Sequence, residues 1–274
     1  GGQLLSYNTS DNALTLAKKI NSTQRYFMEK TRLGIPMIPF DEALHGLVRN
    51  GATSRPQAIA LAATWDPDLV KLALGCVADE CKARGIRQIL SPVINLATDV
   101  RWGRTEETYG EDPFLTTQIG LAFIRAFESR GIITTPKHFI ANVGDGGRDS
   151  YPIHLSERFL EETHFVPFKQ TIRLGNARSI MTAYNSLNGT ACSSNKWLLT
   201  NKLKDEWKFK GFVISDANAV GGELVLHKTA KDYAESGAHA INAGMDVIFQ
   251  TDISHAGLVY PAFANRLVDS KRLD

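Results

Sequence analysis

Short apolar runs rich in Val, Ile and Phe alternate along this chain with longer stretches in which apolar residues recur at helical spacing. Seven runs read as strands: 3–7 (QLLSY), 35–40 (IPMIPF), 86–94 (IRQILSPVI), 131–136 (GIITTP), 178–184 (RSIMTAY), 211–216 (GFVISD) and 245–250 (MDVIFQ). Amphipathic segments stand between them, among them 55–84, 115–130, 160–176 and 195–210. Strands that are apolar on both faces, each separated from the next by a helix, predict a parallel sheet with helical crossovers. The expected class is α/β, a (β/α)8 TIM-like barrel incomplete at one or both ends, since the eighth strand is not legible. No GxGxxG follows the first strand and no GxxxxGK[ST] occurs, so the nucleotide-binding open sheets lose their main support.

The polar residues that close these runs carry chemistry. A barrel of this type places its active site at the C-terminal ends of the strands. Asp41 and Glu42 follow the second run, Lys137 and His138 the fourth, Tyr184 and Asn185 end the fifth, and Asp216 ends the sixth. Taken alone, Asp216 fits a helix N-cap as well as a catalytic carboxylate.

Composition narrows the partners. Lys and Arg total 31 against 29 Asp and Glu, and a formal charge of only +2 argues against a nucleic-acid or anionic-membrane partner. Three cysteines without CxxC spacing predict neither a disulfide framework nor a zinc site. His154, His164, His227, His239 and His255 lack metal-ligand spacing, so no metal is expected and no organic cofactor is implied. No apolar run reaches the ~18 residues of a membrane span. The absence of a linker or low-complexity tract predicts one domain over residues 1–274. Its ends, a strand near residue 1 and a helix read at 265–274, suggest a fragment of a longer chain.

The segments FDEALHG (40–46), SPVINLATDVRWGRTEETYGEDP (91–113), KHF (137–139), MTAYNSLNG (181–189) and KGFVISDANAV (210–220) together resemble the N-terminal barrel domain of glycoside hydrolase family 3. The resemblance implies a retaining, exo-acting β-glycosidase that removes terminal β-linked glucose or xylose from oligosaccharides or from aryl and alkyl glycosides. It implies Asp216 as the nucleophile, and Glu42, Arg104, Lys137, His138 and Tyr184 as residues that hold or flank the terminal sugar. The residue types suit that chemistry. A retaining enzyme needs a carboxylate nucleophile and a second carboxyl about 5 to 5.5 Å away, and cations beside an aspartate help to keep it ionised.

Two departures from the family pattern stand out. Ala217 and Asn218 occupy positions where many members have a tryptophan wall, and Glu42 stands where many glucose-cleaving members have aspartate. The longer carboxylate favours xylose, which lacks the hydroxymethyl group. The loop 140–158 lacks the acid/base spacing of single-domain relatives, leaving Asp145, Asp149 and His154 as weak candidates. The resemblance therefore implies an acid/base in a following domain outside this chain. Polymer-degrading relatives also imply a periplasmic or secreted location. Two other readings stay open: a non-catalytic sugar-binding barrel, and the β-N-acetylhexosaminidase branch of the same family.

Overall fold

A computed structural model describes residues 2–5 by their backbone and residues 10–249 and 257–272 in full. Ser6, Tyr7, Gln250, His255 and the last two residues of the chain lie outside the described residues. The strands form where the apolar runs stand, but they are short: β1 (Gly2–Leu5), β2 (Met37–Asp41), β3 (Gln88–Ile89), β4 (Ile133–Thr134) and β5 (Ser179–Met181). A small hairpin follows, β6 (Ser186–Leu187) and β7 (Thr190–Ala191), and then β8 (Phe212–Ile214). The hairpin turns on Asn188 and Gly189, both at positive φ, the pair that a two-residue turn of this hand favours.

β1 to β4 lie parallel in sequence order, and β5 lies parallel to β8. Single parallel bridges carry the ladder further: Phe139 with Thr182 joins the β4 segment to that of β5, and Ile214 with Val247 adds a seventh segment. Phe40, Leu90, Met181 and Ile214 form one buried cluster, with Val247 and Phe249 packed against it. The rings of Phe40 and Phe249 meet edge-on at 5.3 Å. Segments that are not ladder neighbours thus share one apolar centre, which requires the array to curl around it. Among the described residues no backbone pairing joins β1 to Val247, and no eighth parallel strand is present.

Helices cover the outside: α1 (Ala13–Lys30), α2 (Ala58–Ala62), α3 (Pro67–Ala83), α4 (Pro113–Glu128), α5 (Glu157–Glu162), α6 (Phe165–Gly175), a π-helical segment Trp197–Glu206, α7 (Tyr233–Ala243) and α8 (Tyr260–Ala264). Leu74 and Val77 of α3, Phe123 and Phe127 of α4 and Phe168 of α6 are fully buried in the main core. Each such side chain contributes about 1.5 to 3 kcal/mol of burial.

Several elements differ from the periodicity. The segment 55–84, read as one helix, is two, because Asp66 accepts from Leu69 N at 2.9 Å and Pro67 fills the first helical position, a start signal inside the run. The segment 160–176 likewise breaks between Glu162 and Phe165. The run 86–94 supports a ladder only at Gln88–Ile89 and a bridge at Val93, since Pro92 has no N–H to give. Of the stretch 265–274, the described residues 265–272 form no α-helix: α8 stops at Ala264, and a 3-10 turn at Ser270–Arg272 follows.

Candidate active site

The residues that end the strands converge on Asp216. Beyond β8, Ser215 N donates to Val247 O at 2.9 Å and its Oγ accepts from Phe249 N at 2.8 Å, fixing the backbone from which Asp216 projects. Asp216 is 8% exposed. Its Oδ1 accepts from the Ala217 N–H at 2.7 Å, while Oδ2 is buried with no hydrogen-bond partner. It caps no helix, since the next helical segment begins only at Glu223. Burial raises its pKa above the ordinary aspartate value, against the opposing pull of Lys137, the Ala217 N–H, Arg104 and the Tyr184 phenol. The cations expected to keep it ionised are present, but desolvation outweighs them.

His138 is fully buried and locked on both sides. Asn95 Oδ1 accepts from the His138 backbone N–H at 2.8 Å and lies 2.9 Å from ring Nδ1, while Asn95 Nδ2 donates to the His138 carbonyl at 2.9 Å. Arg104 reaches ring Nε2 at 2.8 Å. A guanidinium can only donate, so Nε2 is the acceptor and Nδ1 carries the proton. Burial, reinforced by Arg104 and Lys137, holds the pKa well below the ordinary 6.5 and keeps the ring neutral. The 3.5 Å approach of Nε2 to Asp216 Oδ2 is therefore neither an ion pair nor a hydrogen bond. His138 is a spacer that hands its acceptor to Arg104 and leaves the aspartate oxygen bare.

Arg104 is aimed by a second grip. Its Nε and a terminal nitrogen donate to the two oxygens of Glu107 at 2.7 and 2.9 Å, a bidentate pair that fixes the plane of the guanidinium. Lys137, 4% exposed, gives its ammonium to Glu42 Oε1 at 2.5 Å, and Glu42 Oε2 accepts from Ser91 Oγ at 3.1 Å. The protein packed around the Glu42 carboxyl strips it of water and raises its pKa, against the opposing pull of Lys137 and Ser91. Arg104 and Lys137 are thus each bound to a carboxylate, with further N–H donors to spare.

Three residues that shape this face escaped the sequence reading: Ser91, Asn95 and Glu107. Ser91 and Asn95 are the polar ends of the otherwise apolar SPVIN, a signal available in the sequence, and Glu107 sits in the acidic stretch 106–112. Asp41, beside Glu42, is structural: it pairs with buried Arg49 at 2.5 Å and takes the Glu42 N–H. Asn185 donates to the Ile140 and Ser186 carbonyls. Asp149 accepts from Trp102 Nε1 and Asn142 Nδ2 at 2.9 and 2.8 Å, and no hydrogen bond or ion pair links it, Asp145 or His154 to Asp216. Among the described residues no group of three or more His, Cys, Asp or Glu could hold a metal ion.

A parallel α/β scaffold thus brings a buried carboxylate and tethered cations together at its strand ends. The model of the glycosyl hydrolase family 3 N terminal domain matches residues 2–263, and the chain belongs to that family. It is 35% identical over 254 residues to a β-xylosidase of Formosa agariphila, covering 85% of this chain and 34% of that protein. It is 32% identical over 235 residues to a periplasmic β-glucosidase of Salmonella typhimurium, covering 83% and 30%. Its structure aligns with that of a β-glucosidase from Listeria innocua in complex with glucose, at a TM-score of 0.87 and 27% identity over 99% of this chain and 37% of that one. The chain thus spans about a third of the length of these relatives.

Proposed function

We propose that the chain is the nucleophile-bearing domain of a retaining exo-β-glycosidase, and that it acts on terminal β-linked glucose or xylose through Asp216. The observation that carries this reading is the buried Asp216 carboxylate, its Oδ1 held by a backbone N–H and its Oδ2 in no hydrogen bond of good geometry, with the Tyr184 phenol as the neighbouring donor. An attacking oxygen needs a free lone pair and little water to shed. In the proposed step Oδ2 forms a bond to the anomeric carbon as the bond to the leaving oxygen breaks, giving a glycosyl ester that water later cleaves. Spare N–H groups of Lys137 and Arg104 face sugar hydroxyls, and Glu42, neutralised by Lys137, accepts from them. Tyr184 steadies the aspartate. The curled array is read as an incomplete (β/α)8 barrel, consistent with a site at strand ends.

The acid/base is assigned to a domain outside these 274 residues, because the loop 140–158 lacks the acid/base spacing of single-domain relatives and Asp149 is tied up by Trp102 and Asn142. Export to the periplasm or beyond belongs to the same proposal, by analogy with the periplasmic relative; no described helix is long and apolar enough to cross a membrane. The test is a dinitrophenyl 2-fluoro glycoside, whose leaving group needs little acid assistance. Peptide mapping should find the trapped sugar on Asp216. A sugar on another carboxylate overturns the assignment, and no covalent adduct at all favours a sugar-binding domain without catalysis.

A further inference from the structure

On the outer wall, where α4 and α6 end and the chain turns toward β8, lies a cleft of about 940 Å³. Lys71, Arg125, Arg173, Arg178, Lys208 and Lys210 line it, against one carboxylate, Glu128. The lining therefore carries a formal +5, and the rest of the chain, with a total of +2, carries −3. All six cations are exposed. Arg178 is neutralised by Glu128 at 2.6 Å and Arg125 donates to the Leu174 carbonyl at 3.2 Å. Lys71, Arg173, Lys208 and Lys210 have no ion pair or side-chain hydrogen bond among the described residues.

Helix ends explain part of this. Arg125 and Arg173 occupy the last turns of α4 and α6, where a cation is favourable. Lys71 sits in the opening turns of α3, the wrong end, and Lys208 and Lys210 lie on a loop. Lys208 moreover holds φ at +58°, a conformation that an L-residue adopts at a penalty of about 1 kcal/mol or more. Clustered like charges repel unless an anion joins them.

We propose that this cleft binds an anionic polysaccharide, with sulfate or carboxylate groups on its cations and sugar C–H faces on Ile172 and the exposed Leu174. The choice of a polysaccharide rests on the glycosidase reading; the preference for anions does not. Nucleic acid fits worse, because Trp207 and Phe209 in the lining are buried and offer no ring for a base to stack on. The volume falls in the range of small-ligand sites, enough for a short stretch of chain. A glycosidase so equipped is tethered to a charged polymer by one wall while the strand ends process terminal sugars.

The test uses the full 274-residue chain and binding to dextran sulfate, polygalacturonate and uncharged dextran at matched mass. Binding to one or both charged polymers, absent on dextran and falling steeply with salt, is expected. The triple variant Arg173→Glu/Lys208→Glu/Lys210→Glu should lose at least ~10-fold in affinity, as like charge replaces complementary charge. A control with the same net charge, Lys18→Glu/Arg25→Glu/Lys30→Glu on α1, should keep it. The stronger competitor of the two polymers identifies sulfate or carboxylate as the preferred group. Equal loss in the α1 control, equal binding to dextran, or tighter binding of oligodeoxythymidine at matched charge would overturn the proposal. Labelling by the 2-fluoro glycoside is measured on the same variants: failure of labelling speaks against Asp216, whereas the cleft is judged from polymer binding alone.

Discussion

The strand-end face and the outer-wall cleft use the same few residue types and treat them in opposite ways. At the strand ends every charge has a partner: Lys137 with Glu42, Arg104 with Glu107 and His138, Asp216 with its neighbour's N–H. In the cleft four of six cations have none among the described residues. Burial accounts for the difference. A charge removed from water is tolerated only when paired, and the pairing fixes its direction before any substrate arrives. An exposed charge needs no partner and holds no fixed direction, so it can attract an anion but cannot orient a reacting bond.

The largest break in this comparison comes from Asp216 itself. Asp216→Ala should abolish turnover of dinitrophenyl glycosides, a loss of ~10⁴-fold or more for a nucleophile that acts as part of a unit. Stopped assays with the activated substrate check it, and residual turnover within ~10-fold of the parent would remove Asp216 from the mechanism. Next come Lys137→Met and Arg104→Met, each expected to lower kcat/KM by about 2 to 4 kcal/mol, the scale of one preorganised donor. Thermal unfolding of the same variants should move far less. A large fall in Tm with kinetics intact would make these pairs structural.

A smaller effect runs the other way. Burial raises the Asp216 pKa, so the fold binds this proton more tightly than the unfolded chain does, and ionisation destabilises the protein as pH rises above the ordinary aspartate value of 3.8. Asparagine has nothing to ionise. Asp216→Asn should therefore be the more stable protein at neutral pH, by about 0.5 to 2 kcal/mol, with the advantage vanishing below the ordinary aspartate range. Denaturation across pH reads it directly; an advantage independent of pH would mean that charge is not its cause. Smallest is Glu42→Asp, which should shift the xyloside to glucoside ratio of kcat/KM toward glucose by about 1 kcal/mol, the worth of one methylene in a pocket. An unchanged ratio would sink the steric argument.

The sequence was legible where the physics is local. Strands buried on both faces write themselves as apolar runs, and the residues closing those runs, from Glu42 to Asp216, do meet at one end of the array. Contacts that span the chain left no local trace. Asn95 and His138 lie 43 positions apart and Ser91 and Glu42 49, so neither pair alters a period. Strand lengths were overread because Pro92 and Pro136 interrupt ladders that hydrophobicity alone extends. The six cations of the cleft, drawn from four separate segments, vanish into a nearly balanced total.

The contact of Phe40 with Phe249 has a consequence in time. The two rings are 209 positions apart in the chain. At a synthesis rate of roughly 5 to 20 residues per second, the apolar centre waits on the order of 10 to 40 seconds after β2 is made before its last ring exists. During that interval β2 to β5 present an unfilled concave surface and open edges, the condition under which nascent chains associate with the wrong partner. The helix layer has no such delay, since α3 and α4 are near neighbours in sequence and can pack early. The outer wall should therefore be settled while the array it encloses is still waiting for the segment that carries Phe249.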